Sequence, residues 1–297
     1  MSDSLPRPLS LGEKLFAWLQ YCLPTIALSR LVGRLAASRV HWWKTLLIFG
    51  FTRLFKLNMD EAAEPDPFAY ENLNALFTRA LRPGARSLPP GAEQLVSPVD
   101  GVMGQFGEIH RGELFQAKGQ AYAVEDLFPR QKSMAAAFLG GQFATFYLAP
   151  HHYHRIHMPI DGVLRETLYV PGRLFGVNPT SVRAIPRLFT RNERLTALFD
   201  TQAGPIALVL IGAFSVGGME TVWLPGQRAA TMRRHESFAP TGQARISLAR
   251  GEEMGRFNLG STVVLLSGPG ALHWENGLAA GQNLRMGRSV ARISRSS

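Results

Sequence analysis

From about residue 94 onward the chain is a succession of short apolar runs cut by glycine and proline. "GVMGQFGEI", "QFATFYLA", "GVLRETLYV", "PIALVLIGAFSV", "METVWL", "ARISLA" and "STVVLL" each read as a strand, rich in β-branched and aromatic residues and bounded by turn formers. A parallel strand pair needs a long crossover, usually a helix, and no such βαβ rhythm recurs here. The expected fold class is therefore α+β, with a mainly antiparallel β body. The acidic, proline-punctuated "DEAAEPDP" at 60–67 marks a boundary between an N-terminal region, 1–66, and that body, 67–297. Just after it, "FAYENLNALFTRAL" predicts a helix over 68–81.

The N-terminal region has a different texture. Its longest uninterrupted apolar stretch, "LLIFGF" at 46–51, falls far short of the roughly 20 residues of a spanning helix. It also lacks the ordered basic, apolar and small-residue segments of a signal peptide. Leu15, Trp18, Leu19, Cys22 and Leu23 recur at helical spacing, and Ile26, Leu28, Leu31, Val32 and Leu35 continue the pattern beyond Pro24. Trp42 and Trp43 stand beside Lys44. Such amphipathic segments suit either an interfacial membrane anchor or helices packed on the body.

Charge favours the anchor. Residues 1–59 carry net +6 and residues 276–297 net +4, which accounts for the whole formal charge of +10. Charge at the ends, rather than on an aromatic-bearing face of the fold, speaks against nucleic acid and for an anionic membrane surface. The single cysteine, Cys22, excludes an intramolecular disulfide and a cysteine-based zinc site.

Three places could carry chemistry. "APHHYHRIHMP" at 149–159 holds His151, His152, His154 and His157, half of the chain's eight histidines. Metal binding, acid–base catalysis and a plain polar strand end are all open to it; no H-E-x-x-H pattern or evident carboxylate partner supports the metal. Asp100, in "SPVDGVMG", is a turn residue or a carboxylate that orients an imidazole. Gly260–Ser261 opens the strand "STVVLL", either as a turn or as a peptide bond exposed to attack by its own hydroxyl, with no side chain on Gly260 to obstruct it. No G-x-S-x-G elbow is present, so an ordinary serine hydrolase is disfavoured.

Taken together, "LGST" at 259–262, "YHRIHMP" at 153–159 and "SPVDG" at 97–101 resemble the phosphatidylserine decarboxylase family, in its membrane-associated bacterial, pyruvoyl-dependent type. "LQYCLPTIALSRLVGRLA", "FQAKG" at 115–119, "YVPGRLFGVN" at 169–178, "RNERL" at 191–195 and "EMGRFNLGSTV" at 253–263 extend the likeness over nearly the whole chain. Asn258 departs from the lysine of many relatives, and Val99 from a frequent alanine.

The resemblance implies self-cleavage between Gly260 and Ser261, giving a β chain, 1–260, and an α chain, 261–297. It assigns Asp100, His157 and Ser261 to a charge relay for that cut. Ser261 would become a covalent pyruvoyl group, the sole cofactor, forming a Schiff base with the amine of phosphatidylserine. His154 is the candidate to protonate the carbanion left by carbon dioxide. On a regular strand positions 154 and 157 face opposite ways, so both can serve only with a bend at Met158–Pro159 or in the preceding loop. The implied partners are phosphatidylserine, an anionic membrane surface and the α/β heterodimer of the cleavage products, with a homodimer of these as a further option. No metal and no nucleic acid are implied, and the implied location is peripheral, on the cytoplasmic side of the cell membrane. Three rivals remain: a pyruvoyl decarboxylase of a soluble amino acid, a lipid-binding protein without catalysis, and a histidine-bound metalloenzyme. The amphipathic N-terminal region argues against the first, and the intact Asp100, His157, Gly260 and Ser261 against the second.

Overall fold

The structure, a computed structural model, describes residues 8–117, 120–214, 218–224, 233–238, 241 and 245–294. Asp3, Arg7 and Arg295 of the charge count, Lys118 and Gly119 of "FQAKG", the Ser215–Val216 end of "PIALVLIGAFSV" and Ala244 of "ARISLA" lie outside the described residues.

Four helices come first: α1 (Leu11–Cys22), α2 (Thr25–Ala36), α3 (His41–Leu54) and the short α4 (Leu73–Phe77). The strands that build the site are β1 (Gly101–Glu108), β2 (Gln142–Leu148), β3 (Arg155–His157), β4 (Gly162–Val170) and β5 (Arg194–Thr201), followed by β6 (Gly204–Gly212), β7 (Met219–Thr221), β8 (Glu253–Phe257) and β9 (Ser261–Ser267). The fold is α+β with a mainly antiparallel body. The principal sheet has nine strands, with β4-β5-β6-β9-β2-β1 in that spatial order, all antiparallel. Arg234–Ser237 extends it beyond β4, and Asn283–Leu284 beyond β1.

β9 lies in the middle of this sheet and all seven of its residues are buried. Val263 and Leu265 enter one core with Leu208, Leu210, Ala144 and Phe146, whereas Val264 and Leu266 enter the opposite core with Ala207, Val209, Ile211 and Phe143. Both faces are covered, which is why "STVVLL" is a continuous apolar run rather than an alternating one.

Two expectations change. The helix over 68–81 contracts to Leu73–Phe77, capped by the Asn72 side chain on the Ala75 amide at 2.9 Å. Its flanks are drawn into other pairings: the Ala63 amide donates to the Ala80 carbonyl, the Arg82 amide to the Glu61 carbonyl, and Ala62 bridges to Leu81. β5, "RLTALFDT", is an interior strand of the sheet although it is not among the apolar runs that predict strands.

The N-terminal helices lie against the body. Ser10 and Glu13 form a capping box on α1. Gln20 donates to Ser181 Oγ at 3.0 Å and accepts from the Gly176 amide at 2.8 Å. Arg173 donates to the carbonyls of Gln20 and Tyr21, which α1 leaves unpaired at its C-terminus, and to that of the following Leu23. α2 and α3 pack with α4 through Ala36, Ile48, Leu73, Leu76 and Phe77, and Leu259 joins that cluster. Fourteen large hydrophobic side chains between Leu11 and Leu54 remain exposed, against six in the rest of the described chain. Trp18 and Trp42, 62% and 67% exposed, are among them. No single helix among the described residues is long and apolar enough to cross a bilayer, and α1 and α2 meet at a bend of 85°.

Candidate active site

Register delivers the histidine segment to the Gly260–Ser261 bond. β2 ends at Leu148, which pairs directly with Ser261. The chain then loops through 149–154 and returns as β3, which pairs with β8, the strand that runs into the bond. The Phe257 amide donates to the His154 carbonyl at 3.1 Å, closing this second layer over the first. His154 thus belongs to the loop and His157 to the strand. The bend expected near them lies just before β3.

The bond itself is held in an unusual conformation. Leu259 has φ +78° and Gly260 has φ +63°, two successive residues in the left-handed region. For leucine that costs roughly 1–2 kcal/mol, and the cost is met by burial of its side chain against α2, α3 and α4. Asn258 anchors the approach, donating to Glu220 Oε1 at 2.8 Å and accepting from Asn74 Nδ2 at 3.1 Å. Ser261 follows in extended pairing with Leu148 and Gly212. Its Oγ is buried and has no hydrogen-bond partner, an arrangement that costs about 1–3 kcal/mol for a hydroxyl. Thr262 Oγ1 and Ser267 Oγ of the same strand are likewise buried without partners, so what sets Ser261 apart is its place directly after the left-handed Leu259–Gly260 pair.

The histidines differ in role. His152 Nδ1 accepts the Ala149 amide at 2.9 Å and shapes the loop; burial, and then the neighbouring His151, push its pKa down to about 4. His154 is completely buried, its ring 3.9 Å from that of Phe77. Its Nδ1 faces the His152 carbonyl at 2.9 Å, and a carbonyl only accepts, so Nδ1 carries the proton. Nε2 is left as a basic atom, buried and unpartnered. Burial holds this ring well below the usual histidine range, hence neutral. His157 is arranged alike: Nδ1 donates to the Gly251 carbonyl at 2.8 Å, and Nε2 accepts from the Tyr153 hydroxyl at 2.9 Å. Burial lowers its pKa, partly offset by the Gly251 bond.

Asp100 sits at the start of β1 and is held by Arg86 through both carboxylate oxygens, while the Met286 amide donates to Oδ1 at 2.8 Å. Arg86 also pairs with Glu61. Fold topology therefore gathers Asp100, His154, His157 and Ser261 around one region, but Asp100, His157 and Ser261 do not hydrogen-bond one another. The Gly251 carbonyl, rather than Asp100, sets the tautomer of His157. Sequence reasoning missed Arg86, Gly251 and Phe77, which no local pattern connects to the site. Tyr153 stands inside the quoted "YHRIHMP" and could have been singled out.

Ser261, Gly260 and Leu259 line a cavity of about 350 Å³. Its other walls are mostly apolar and are shared between the N-terminal helices, through Phe16, Leu19, Phe51 and Phe55, and the body, through Leu148, Val177, Ala213 and Phe214. Among the described residues no group of three or more His, Cys, Asp or Glu is placed to hold a metal ion.

A family model described as phosphatidylserine decarboxylase matches residues 73–292, and a second, described as PSD, matches residues 15–56. Similar proteins named phosphatidylserine decarboxylase proenzyme include one from Pseudomonas fluorescens, 47% identical over 282 residues, covering 94% of this chain and 97% of the relative. Another from Pseudomonas putida is 46% identical over 283 residues, 94% of this chain and 98% of the relative. One from Marinobacter nauticus is 46% identical over 283 residues, 95% and 99% of the two chains. The first match begins at α4 and runs through every strand that frames the Gly260–Ser261 bond. On that likeness, which spans both the helices and the body, the chain belongs to the phosphatidylserine decarboxylase family.

Proposed function

We propose that this chain cleaves itself between Gly260 and Ser261 and then converts phosphatidylserine to phosphatidylethanolamine and carbon dioxide at a membrane surface. The observation that carries the reading is the buried, unpartnered Ser261 Oγ at a left-handed Gly-Ser junction on the wall of an apolar cavity. That orphaned oxygen and the side-chain-free Gly260 fit a serine destined to become a pyruvoyl group.

In the cut, a neutral imidazole takes the Ser261 hydroxyl proton and Oγ attacks the Gly260 carbonyl, so that an ester replaces the peptide bond. Loss of the Ser261 Cα proton then breaks Cβ–Oγ, and the electron pair leaves with the Gly260 carboxylate. Water replaces the resulting enamine nitrogen, which departs as ammonia. His157 is the assigned base; its proton-free Nε2 suits it, and Tyr153 must release that atom first. Asp100 acts in this relay only on exchanging Arg86 for the histidine. When present, the pyruvoyl group supplies an electrophilic ketone for the substrate amine and an electron sink for decarboxylation. His154 is the residue proposed to protonate the product carbon, from the buried side beside Phe77: its free Nε2 first takes the proton that the substrate ammonium sheds, and then passes it to that carbon.

The exposed apolar side chains of α1–α3 support docking in the interfacial plane, on the cytoplasmic face, where anionic headgroups attract the basic ends. Acyl chains would then enter the cavity between those helices and the sheet. Intact mass spectrometry of the denatured protein tests the reading. Two chains broken at 260/261, the smaller lighter than its serine form by one ammonia, are expected. A single full-length chain after incubation with phosphatidylserine vesicles would overturn it.

A further inference from the structure

Arg79 stands outside the proposed chemistry. It follows α4 by two residues and is only 3% exposed. Its Nη2 donates to the His151 carbonyl at 3.3 Å, while Nε and Nη1 are buried with no partner at all. Among the described residues no carboxylate lies within ion-pair distance of it. Arginine does not shed its proton to escape this, even though burial pulls its pKa down. A buried cation without a direct ion pair is among the costliest features a fold can hold; Asp100 acts on Arg79 only from beyond ion-pair distance and is itself held by Arg86, which leaves room for a second anion.

Position identifies the anion. Arg79 is joined to a segment on each side of the Gly260–Ser261 bond, to one by a hydrogen bond and to the other by chain continuity. On one side is the loop carrying His151, three residues beyond the Leu148 partner of Ser261. On the other, α4 packs on Leu259 and bonds Asn258 through Asn74. The cut described above converts the neutral Gly260 carbonyl into a carboxylate between those same segments.

We infer that Arg79 is the binding site for the C-terminal carboxylate that self-cleavage creates at Gly260. This rests on the self-cleavage reading above. The arrangement makes the precursor the electrostatically unsatisfied form and the processed chain the satisfied one. It also draws the new chain end toward α4 and away from residue 261, clearing the place where substrate must approach.

The test compares Arg79→Gln in two forms, the processed enzyme and the uncut Ser261→Ala chain, by thermal denaturation. If Arg79 acquires a partner on cleavage, Arg79→Gln lowers Tm of the processed enzyme by about 6 °C or more. In the Ser261→Ala chain, where the cation has no partner, the same change leaves Tm within about 2 °C or raises it. Arg79→Lys in the processed enzyme should recover part of the loss. Equal shifts in the two forms would mean a structural arginine and would overturn the assignment. So would a raised KM for phosphatidylserine with no difference between the forms, which would mark a site for the substrate's carboxylate instead. Where Arg79→Gln fails to accumulate as processed enzyme, Arg79→Lys is read in the same pair of forms against the same criteria. A wild-type chain that mass spectrometry finds uncut fails the self-cleavage reading itself, and this inference with it.

Discussion

Replacing Gly260 with alanine separates backbone conformation from packing at the proposed cleavage point. A Cβ built on Gly260 would meet nothing nearer than the Phe214 carbonyl oxygen at 4.0 Å, although φ is +63°. The penalty is therefore conformational, roughly 1–2 kcal/mol for an L-residue in the left-handed region. The lower freedom of alanine in the unfolded chain offsets about 0.5 kcal/mol of it. A net loss of about 1 kcal/mol lowers Tm by about 2 °C in a chain of this size. Gly255 in β8 supplies the contrast. Its Cβ would stand 2.3 Å from the Glu220 carbonyl oxygen, a backbone atom of the paired strand β7 that cannot move without breaking the pairing. Gly255→Ala should cost on the order of 3 kcal/mol and lower Tm by about 6 °C. Both substitutions belong in the uncut Ser261→Ala chain, followed by circular dichroism melts and urea titration. A loss at Gly260 equal to that at Gly255 would refute the open space, and a gain there would refute the left-handed conformation.

His154→Ala should still yield the two fragments on a denaturing gel yet release no carbon dioxide from phosphatidylserine; an uncut chain would instead place His154 in processing. Glu193 is buried, and burial pushes its carboxyl up to about 7, partly offset by a bond with Tyr169. The folded state then holds a proton that the unfolded state releases near the ordinary carboxyl value, so stability falls as pH rises through 7. Glu193→Gln should accordingly gain about 3 kcal/mol over wild type at pH 8 and almost nothing at pH 4; a pH-independent difference in melts would sink that account. Trp18→Ala, Trp42→Ala and Leu46→Ala combined should leave Tm nearly unchanged, since all three are exposed. The triple variant should weaken sedimentation with phosphatidylserine vesicles at least tenfold, and undiminished binding would remove α1–α3 from the membrane contact.

The strands most readily read from sequence are those whose two faces are both buried or which alternate strictly. β9 and β4 coincide closely with "STVVLL" and "GVLRETLYV", because continuous burial or pairing along their whole length leaves one residue pattern. β5 escaped because "RLTALFDT" mixes an arginine, two threonines and an aspartate among its apolar residues. Arg194 is nevertheless buried, its guanidinium donating to the carbonyls of Asp126, Leu127, Thr190 and Asn192. No local rule anticipates a charged strand residue satisfied in part by the distant carbonyls of Asp126 and Leu127. The contraction of the helix over 68–81 has the same origin, since pairing with 61–63 overrides local propensity. At the site, the residue types were legible and the partners were not. Arg86 on Asp100, Gly251 on His157 and Phe77 on His154 depend on register between segments far apart in sequence.

The central place of β9 gives the proposed cut a direction in time. Seven residues of this strand are zipped between β2 and β6, and the segment beyond it supplies the partners of Gln94–Val96 and of β1. While the chain is continuous, its two parts meet by an intramolecular search. Once severed, a 37-residue fragment that unfolds must return to the middle of a closed sheet as a separate molecule. Maturation would thus spend a folding advantage that cannot be recovered. The lifetime of the mature enzyme would be governed by how slowly it comes apart rather than by an equilibrium with its unfolded form.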